Sequence, residues 1–278
     1  MSRPDESITF LKDRGYCVLR MPRSDARPLQ TLLKAGKKDL TRLGELSTIT
    51  IPGANPLPPL SLDNVSPVEI SGKESSSTKI EVGINILGNI IQALGGNTLG
   101  ISAGFTRAKS MTFKFEDVLE DHADVDKLDQ YLTTCSFRPD MTAVTNALIE
   151  DDVFVITSTI KTNKFTINAK GDSGTKVGLD VPVISGVASG SLKVDTTKAT
   201  EGTVVYQGTN PDIFGFQAVR LFFDQINGHP TFSAVDPLEA GSVAAKAAGK
   251  VNPTLLRLDE GAFFRFQAEQ AMAASSNK

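Results

Sequence analysis

Ile80-Glu81-Val82-Gly83-Ile84-Asn85-Ile86 opens the first of two long stretches, residues 78–115 and 153–195, in which apolar and small polar residues alternate without building a solid hydrophobic run. Further along the first, Met111, Phe113 and Phe115 alternate with Thr112 and Lys114. In the second, Phe154, Ile156 and Ile160 share one parity with Ser158, while Val177, Leu179, Val181 and Val183 alternate with Gly178, Asp180 and Pro182. A period of two gives a strand one oily and one wet face. That suits a half-buried strand of a soluble protein. It also suits a strand with lipid on one side and water on the other, for which about 9–11 residues cross a bilayer.

Outward from these stretches the chain reads as alternating short elements. Asp5 caps an opening helix edged by Ile8 and Leu11 and ended by Gly15. Tyr16–Met21 reads as a strand stopped by Pro22. Pro28–Leu33, with Pro28 at a first helical position, and Leu40–Leu46 read as short amphipathic segments. Pro52, Pro56, Pro58 and Pro59 require extended, irregular chain. Ile80–Ile86 favours strand, but at Leu87, Ile90, Ile91 and Leu94 the spacing becomes helical, ending at Gly95–Gly96. A segment carrying both patterns is what a conformational switch needs. Phe115–Thr133 is helix-periodic through Val118, Leu119, Val125, Leu128 and Leu132, and Asp140 caps a helix with Met141, Val144 and Leu148. Thr203–Tyr206 and Ile213–Phe223 read as core strands. The expected class is α+β: a twisted, mostly antiparallel central β-sheet with surrounding short helices and a short C-terminal inhibitory tail.

At 278 residues, 40% hydrophobic and 22% charged, with a net charge of −3, the composition is that of a globular chain with ample core. Cys17 and Cys135 make neither a disulfide framework nor a metal cluster. With no secretory segment and no apolar window long enough for a membrane helix, the chain is expected in the cytoplasm. Its start is basic: Arg3, Lys12, Arg14, Arg20, Arg23, Arg27, Lys34, Lys37, Lys38 and Arg42 face half as many acids. Such a patch attracts anionic lipid headgroups or nucleic acid phosphates. Nucleic acid is not an expected partner, because no helix-turn-helix, aromatic-basic or zinc pattern accompanies the charge.

Catalytic chemistry is not legible. His122 lies beside Asp121 and Asp124 in the acidic segment, and His229 stands in the turn Asn227–Gly228–His229–Pro230. Gly171-Asp172-Ser173-Gly174-Thr175-Lys176 is a glycine turn and not a phosphate-binding loop. No enzyme, cofactor or metal is expected. At the other end, Pro237–Asn252 is small and featureless, a preferred protease target. Beyond it Leu255, Leu256, Leu258, Phe263, Phe264 and Phe266 form an apolar cluster too small for a domain, which must dock on the body.

The order of these features resembles a bacterial gasdermin over roughly residues 8–235. Phe10-Leu11-Lys12-Asp13-Arg14-Gly15-Tyr16, Leu40–Leu46 with its Leu-Gly-Glu-Leu, Val153–Thr166 (VFVITSTIKTNKFT) and Gly202–Phe223 carry the likeness. The resemblance implies a latent pore former: residues 1–236 as pore-forming body, 237–254 as exposed linker and 255–278 as autoinhibitory segment. A caspase-like or related protease would cut between Asp236 and Pro253. The freed monomers would form a homo-oligomer, two hairpin regions would line a large transmembrane β-barrel in the inner membrane, and the cell would die as a defence against phage. The membrane-inserting residues expected are Ile80, Val82, Ile84, Ile86, Phe113, Phe115, Phe154, Ile156, Ile160, Val177, Leu179, Val181 and Val183. Arg14, Arg20, Arg23, Lys34, Lys37 and Lys38 would face lipid headgroups. Family members often carry an acylated cysteine within the first few residues. Here those positions are Ser2, Arg3 and Pro4, which leaves Cys17 as a lipidation candidate, with a buried thiol as its other reading. A soluble β-rich lipid- or ligand-binding domain and a structural assembly protein are the rival readings.

Overall fold

The structure, a computed structural model, describes residues 11, 14–35, 39–66, 77–138, 140, 144, 147–148, 150, 152–188, 191–226, 229–233 and 265–266. Among them the strands are β1 (Cys17–Arg23), β2 (Gln30–Ala35), β3 (Asp39–Glu45), β4 (Thr50–Ile51), β5 (Leu60–Val65), β6 (Thr78–Lys79), β7 (Ser110–Glu116), β8 (Leu119–Ala123), β9 (Ser136–Phe137), β10 (Val153–Lys170), β11 (Lys193–Asp195), β12 (Thr203–Arg220), β13 (Phe222–Ile226), β14 (His229–Ser233) and β15 (Arg265–Phe266). The helices are α1 (Leu46–Ile49), α2 (Ile80–Ala93), α3 (Ile101–Gly104), α4 (Val125–Leu132) and α5 (Val181–Ser185). Eleven strands form one mostly antiparallel sheet along the path β1-β12-β10-β2-β3-β15. Strands β7 and β8 also pair with β10, β6 with β7, β5 with β8 and β11 with β12. The α+β expectation holds.

The chain divides into two compact units. One comprises Met1–Asp25, Asn64–Glu120 and Ile160–Gly215. Its core gathers Leu87, Ile91, Phe105, Met111, Phe113, Phe165, Ile167, Ile184, Leu192 and Tyr206. The other comprises Ala26–Asp63, Asp121–Thr159 and Phe216–Lys278. There Leu46, Ile49, Leu128, Tyr131, Leu132, Val153, Val155 and Leu221 pack together. In that second core the Thr50 Oγ1 and Tyr131 hydroxyls lie 2.6 Å apart, so each buried hydroxyl has a partner. The Arg220 guanidinium stands 5.4 Å from the centre of the Phe154 ring, a cation–π contact.

Several local expectations are overturned, some by tertiary packing and some by capping and turn signals that the alternation masks. Ile80–Ile86 is helix, not strand, because Ile80, Ile84, Leu87, Ile91 and Leu94 form one 3.6-period stripe that covers the first core. Val177–Val183 is likewise no strand. Asp180 caps α5, its carboxylate accepting from the Val183 N–H, and Pro182 fits the helix's first turn. Phe115–Thr133 is helical only from Val125. Positive φ at Asp117 turns the chain between β7 and β8, and Asp124 accepts from the N–H groups of Asp126 and Lys127 to start α4. His122 therefore lies in β8.

Pro28–Leu33 and Leu40–Leu46 supply β2 and β3, because β3 and β10 both bond to β2. Pro22 lies within β1, which ends the sheet path and so has an outer side where a missing N–H costs nothing. Thr203–Tyr206 and Ile213–Phe223 are mostly one strand, β12, with Phe222 and Phe223 starting β13. His229 and Pro230 pair with Ile226 and Gln225 within a β-ladder. Asn227 and Gly228, like Asp5, Ile8 and Met141, lie outside the described residues.

The half-buried expectation for Phe154, Ile156 and Ile160 also gives way. Every residue from Val153 to Ile160 is buried, polar ones included, so this part of β10 is covered on both faces. Thr157 fits there because its hydroxyl reaches backbone, donating to the Gln217 carbonyl at 3.4 Å. Gly15, at φ 77°, ends the opening turn as expected.

Candidate functional site

Both alternating stretches meet in the core of the first unit. Strand β7 pairs with β10 in the register Phe115↔Phe165, Phe113↔Ile167 and Met111↔Ala169. These residues, with Val204 and Tyr206 of β12, make one apolar sheet face. Two excursions of the chain cover it. The first, residues 80–109, contributes Ile80, Ile84, Ile86, Leu87, Ile90, Ile91, Ile101 and Phe105; the second, residues 171–202, contributes Val177, Leu179, Val181, Ile184, Val187, Leu192 and Val194.

Of the expected membrane-inserting residues, the structure thus brings together Ile80, Ile84, Ile86, Phe113, Phe115, Val177, Leu179 and Val181. Val82 faces outward at 37% exposure. Val183 is half-buried near Gly100 and Gly104. Phe154, Ile156 and Ile160 are buried outside this cluster. The pattern reading did not name Phe105, Leu192, Val194 or Leu99, an apolar residue left 78% exposed. Phe105, Leu192 and Val194 join the cluster through the tertiary packing of the two excursions, which no local alternation signals.

Just past the apolar face stands a cross-strand charge pair. Lys164 Nζ lies 2.8 Å from Glu116 Oε2, and the Thr166 hydroxyl donates to Glu116 Oε1. Burial pulls the Glu116 carboxyl upward, but the hydrogen bonds from Lys164 and Thr166 outweigh it and hold the group below the usual range. A depressed carboxyl contributes stability above its ordinary pKa and loses it as pH falls through the depressed value. The part of acid destabilisation between about pH 5 and 3 that this pair supplies should therefore vanish in Glu116→Gln. Thermal melts across that window check it, with an expected contribution of ~1 kcal/mol or less for a partly exposed pair.

The remaining candidates are distributed as follows. Cys17, 1% exposed on β1, and Cys135, 6% exposed, are buried thiols. Arg14 and Lys34 are half-buried, and Arg20 and Arg23 belong to β1. Lys37, Lys38, the region Asp236 to Pro253, and the tail residues Leu255, Leu256, Leu258, Phe263 and Phe264 lie outside the described residues. From the tail, Arg265 and Phe266 pair in parallel with Asp39 and Leu40, at the end of the sheet path. No described helix is long and apolar enough to cross a membrane.

Comparison with known proteins agrees with this arrangement. The model of the Bacterial Gasdermin Family matches residues 19–229. The chain is 40% identical to a protein named Gasdermin bGSDM from a Desulfuromonadales bacterium, over 88% of this chain and 91% of that protein. It is 38% identical to the Gasdermin bGSDM of Lysobacter enzymogenes, over 87% and 88% of the two chains. The solved structure of a bacterial gasdermin from Bradyrhizobium tropiciagri superposes with a TM-score of 0.61 at 13% identity, covering 94% of this chain and 96% of that one, a likeness of fold. The family match over residues 19–229 and the relatives at 40% and 38% identity mean that the protein belongs to the bacterial gasdermins, a non-enzymatic family of oligomerising, membrane-permeabilising pore formers.

Proposed function

We propose that the two excursions, residues 80–109 and 171–200, straighten into four strands of a transmembrane β-barrel once the C-terminal segment is cut away. The observation that carries this is the register at their roots. Thr78 pairs with Met111 and Lys79 with Ser110. Continued past Lys79, that register sets Ile84 against Phe105, Ile86 against Ala103 and Ile90 against Leu99, and closes on a two-residue turn at Leu94–Gly95.

On the other side the Ala169 N–H donates to the Gly202 carbonyl at 2.7 Å, and Thr203 Oγ1 donates to Asn168 Oδ1. Continued, this register sets Val177 against Val194, Leu179 against Leu192 and Val183 against Ala188, and closes at Ser185–Gly186. Each arm is about 14 residues long. At ~3.3 Å per residue and a tilt of ~45° it rises ~33 Å, against a hydrocarbon core of ~30 Å.

Parity supports the same reading. Ile80, Val82, Ile84, Ile86, Ile90, Leu99, Ile101, Phe105, Val177, Leu179, Val181, Val183, Leu192 and Val194 continue the sheet face that bears Met111, Phe113, Ile167 and Val204, so the face now hidden by the excursions becomes the lipid face, while Leu87, Ile91, Ile184 and Val187 fall on the opposite side. The opposite face carries Glu81, Asn85, Asn89, Lys176, Asp180 and Lys193, suited to a water-filled lumen. Charges on the lipid face, Arg107, Lys109 and Lys198, fall near the roots of the arms, at headgroup depth. Barrel closure pairs every backbone group in the hydrocarbon.

In this reading a caspase-like or related protease cuts between about Asp236 and Pro253, and the apolar tail, including the Phe266 strand beside β3, leaves the body. Basic residues such as Arg14, Arg20, Arg23, Lys34, Lys37 and Lys38 draw the cytoplasmic monomer to the anionic inner membrane. Monomers then assemble, the membrane leaks and the cell dies, which suits a defence against phage. The test is release of dye from phosphatidylglycerol/phosphatidylethanolamine vesicles by a chain truncated near residue 250, compared with the intact chain. Leakage only from the truncated form is expected. A truncated chain that stays folded and leaves the vesicles sealed would exclude the reading.

A further inference from the structure

Strand β10 ends at Lys170, and the chain doubles back at once: Lys170 bridges to Lys176 in antiparallel fashion. Between them the Gly171 N–H donates to the Thr175 carbonyl at 2.6 Å, and the Thr175 N–H to the Asp172 carbonyl at 3.4 Å. The two central residues of this turn both have positive φ, Ser173 at 59° and Gly174 at 77°. That is the type I′ conformation, for which Asn-Gly is the preferred pair and in which a serine is strained. The turn makes no demand on packing. Residues 172–176 are exposed, and a Cβ on Gly174 would meet nothing within 4 Å. Thr175 Oγ1 also donates to the Asp172 carbonyl at 3.0 Å, and a change at Ser173 or Gly174 leaves that bond in place and acts through the backbone.

We infer that the turn Asp172-Ser173-Gly174-Thr175 is a conformational latch that sets how readily the second excursion straightens. The inference rests on the pore reading above, in which residues 171–184 continue β10 as a strand. In that state Ser173 and Gly174 must adopt the extended region, so any substitution that penalises positive φ without touching a neighbour weakens only the closed form. Gly174→Ala does this, because an L-residue is disfavoured in the left-handed region and alanine suits a strand better than glycine. Ser173→Asn acts the other way. It creates the Asn-Gly pair that type I′ turns favour, and strengthens the closed form. The serine found here holds the latch at intermediate strength.

The test uses the full chain with a site-specific protease sequence introduced between residues 237 and 254, cut in the presence of dye-loaded phosphatidylglycerol/phosphatidylethanolamine vesicles. Relative to the parent, Gly174→Ala is expected to shorten the time to half-release about tenfold, and Ser173→Asn to lengthen it about threefold. Before cutting, the melting temperature should move oppositely, lower for Gly174→Ala and higher for Ser173→Asn. Melting temperatures that shift while release times coincide overturn the latch, since the turn then contributes to the closed fold but is not undone on opening. Unchanged melting temperatures, or two variants moving release in the same direction, overturn it as well. Silence from every cut chain, parent included, removes the pore reading and the latch with it.

Discussion

Oxidation of a chain carrying Leu94→Cys and Gly208→Cys is expected to abolish vesicle leakage after tail removal, and reduction to restore it. Leu94 caps the C-terminal end of α2, and its Cβ lies 3.3 Å from where a Cβ on Gly208 of β12 would sit. That is close to the ~3.5–4.5 Å a disulfide spans, and shortening the leucine removes the side chain that crowds Gly208. In the proposed pore Leu94 is at the tip of one hairpin, while Gly208 lies below the root of the other. About 20 residues of strand separate those levels, roughly 70 Å at ~3.3 Å per residue. No relaxation of the barrel reconciles that span with an intact S–S bond. The native thiols do not compete, because both are buried and burial pushes Cys135 up to about 11, leaving little thiolate. Leakage by the oxidised chain at the rate of the reduced one, with the crosslink verified by mass, would show that α2 does not leave the sheet.

A single charge on the proposed lipid face should be nearly as damaging, and its neighbour harmless. Ile86 continues the apolar face at mid-depth of the first hairpin, whereas Asn85 points into the lumen. A lysine near the bilayer midplane costs about 2–4 kcal/mol, so Ile86→Lys weakens insertion about thirty- to a thousandfold for each copy in the ring. Asn85→Lys should leak like the parent. In the closed fold Asn85 is exposed and Ile86 only half-buried, so a lysine stem can lie along the helix surface and keep its ammonium in water. Both full-length variants are thus expected to stay folded, which circular dichroism checks. Equal leakage by the two would refute the alternation on which the barrel reading depends.

Much of this was legible in the residues. The β-branched and aromatic run Val153–Thr166 lies within β10 as one 18-residue strand, and Ser110–Glu116 became β7. The family likeness over residues 8–235 agrees with the family match at 19–229. The excursions were misread for a definite reason. Ile80, Ile84, Leu87, Ile91 and Leu94 satisfy a helical period while Ile80, Val82, Ile84, Ile86 and Ile90 satisfy a strand period, and the two sets overlap. Local pattern cannot choose between them. Around Val177–Val183, Asp180 and Pro182 carried the helix signal, but the alternation of valines masked it.

The sequence by itself therefore determined that these segments possess two apolar faces, one at each period, and that the chain belongs among proteins built of such segments. Tertiary structure alone decided which face is in use. In the closed molecule Met111, Phe113, Ile167 and Val204 present an apolar sheet face that must be covered, and a helix covers it with its 3.6-period stripe while bonding its own backbone internally. A strand in the same place would leave edge groups and one apolar row facing water. Lipid would reverse that preference, and the choice lies with the surroundings of residues 80–109 and 171–202 and not with their order.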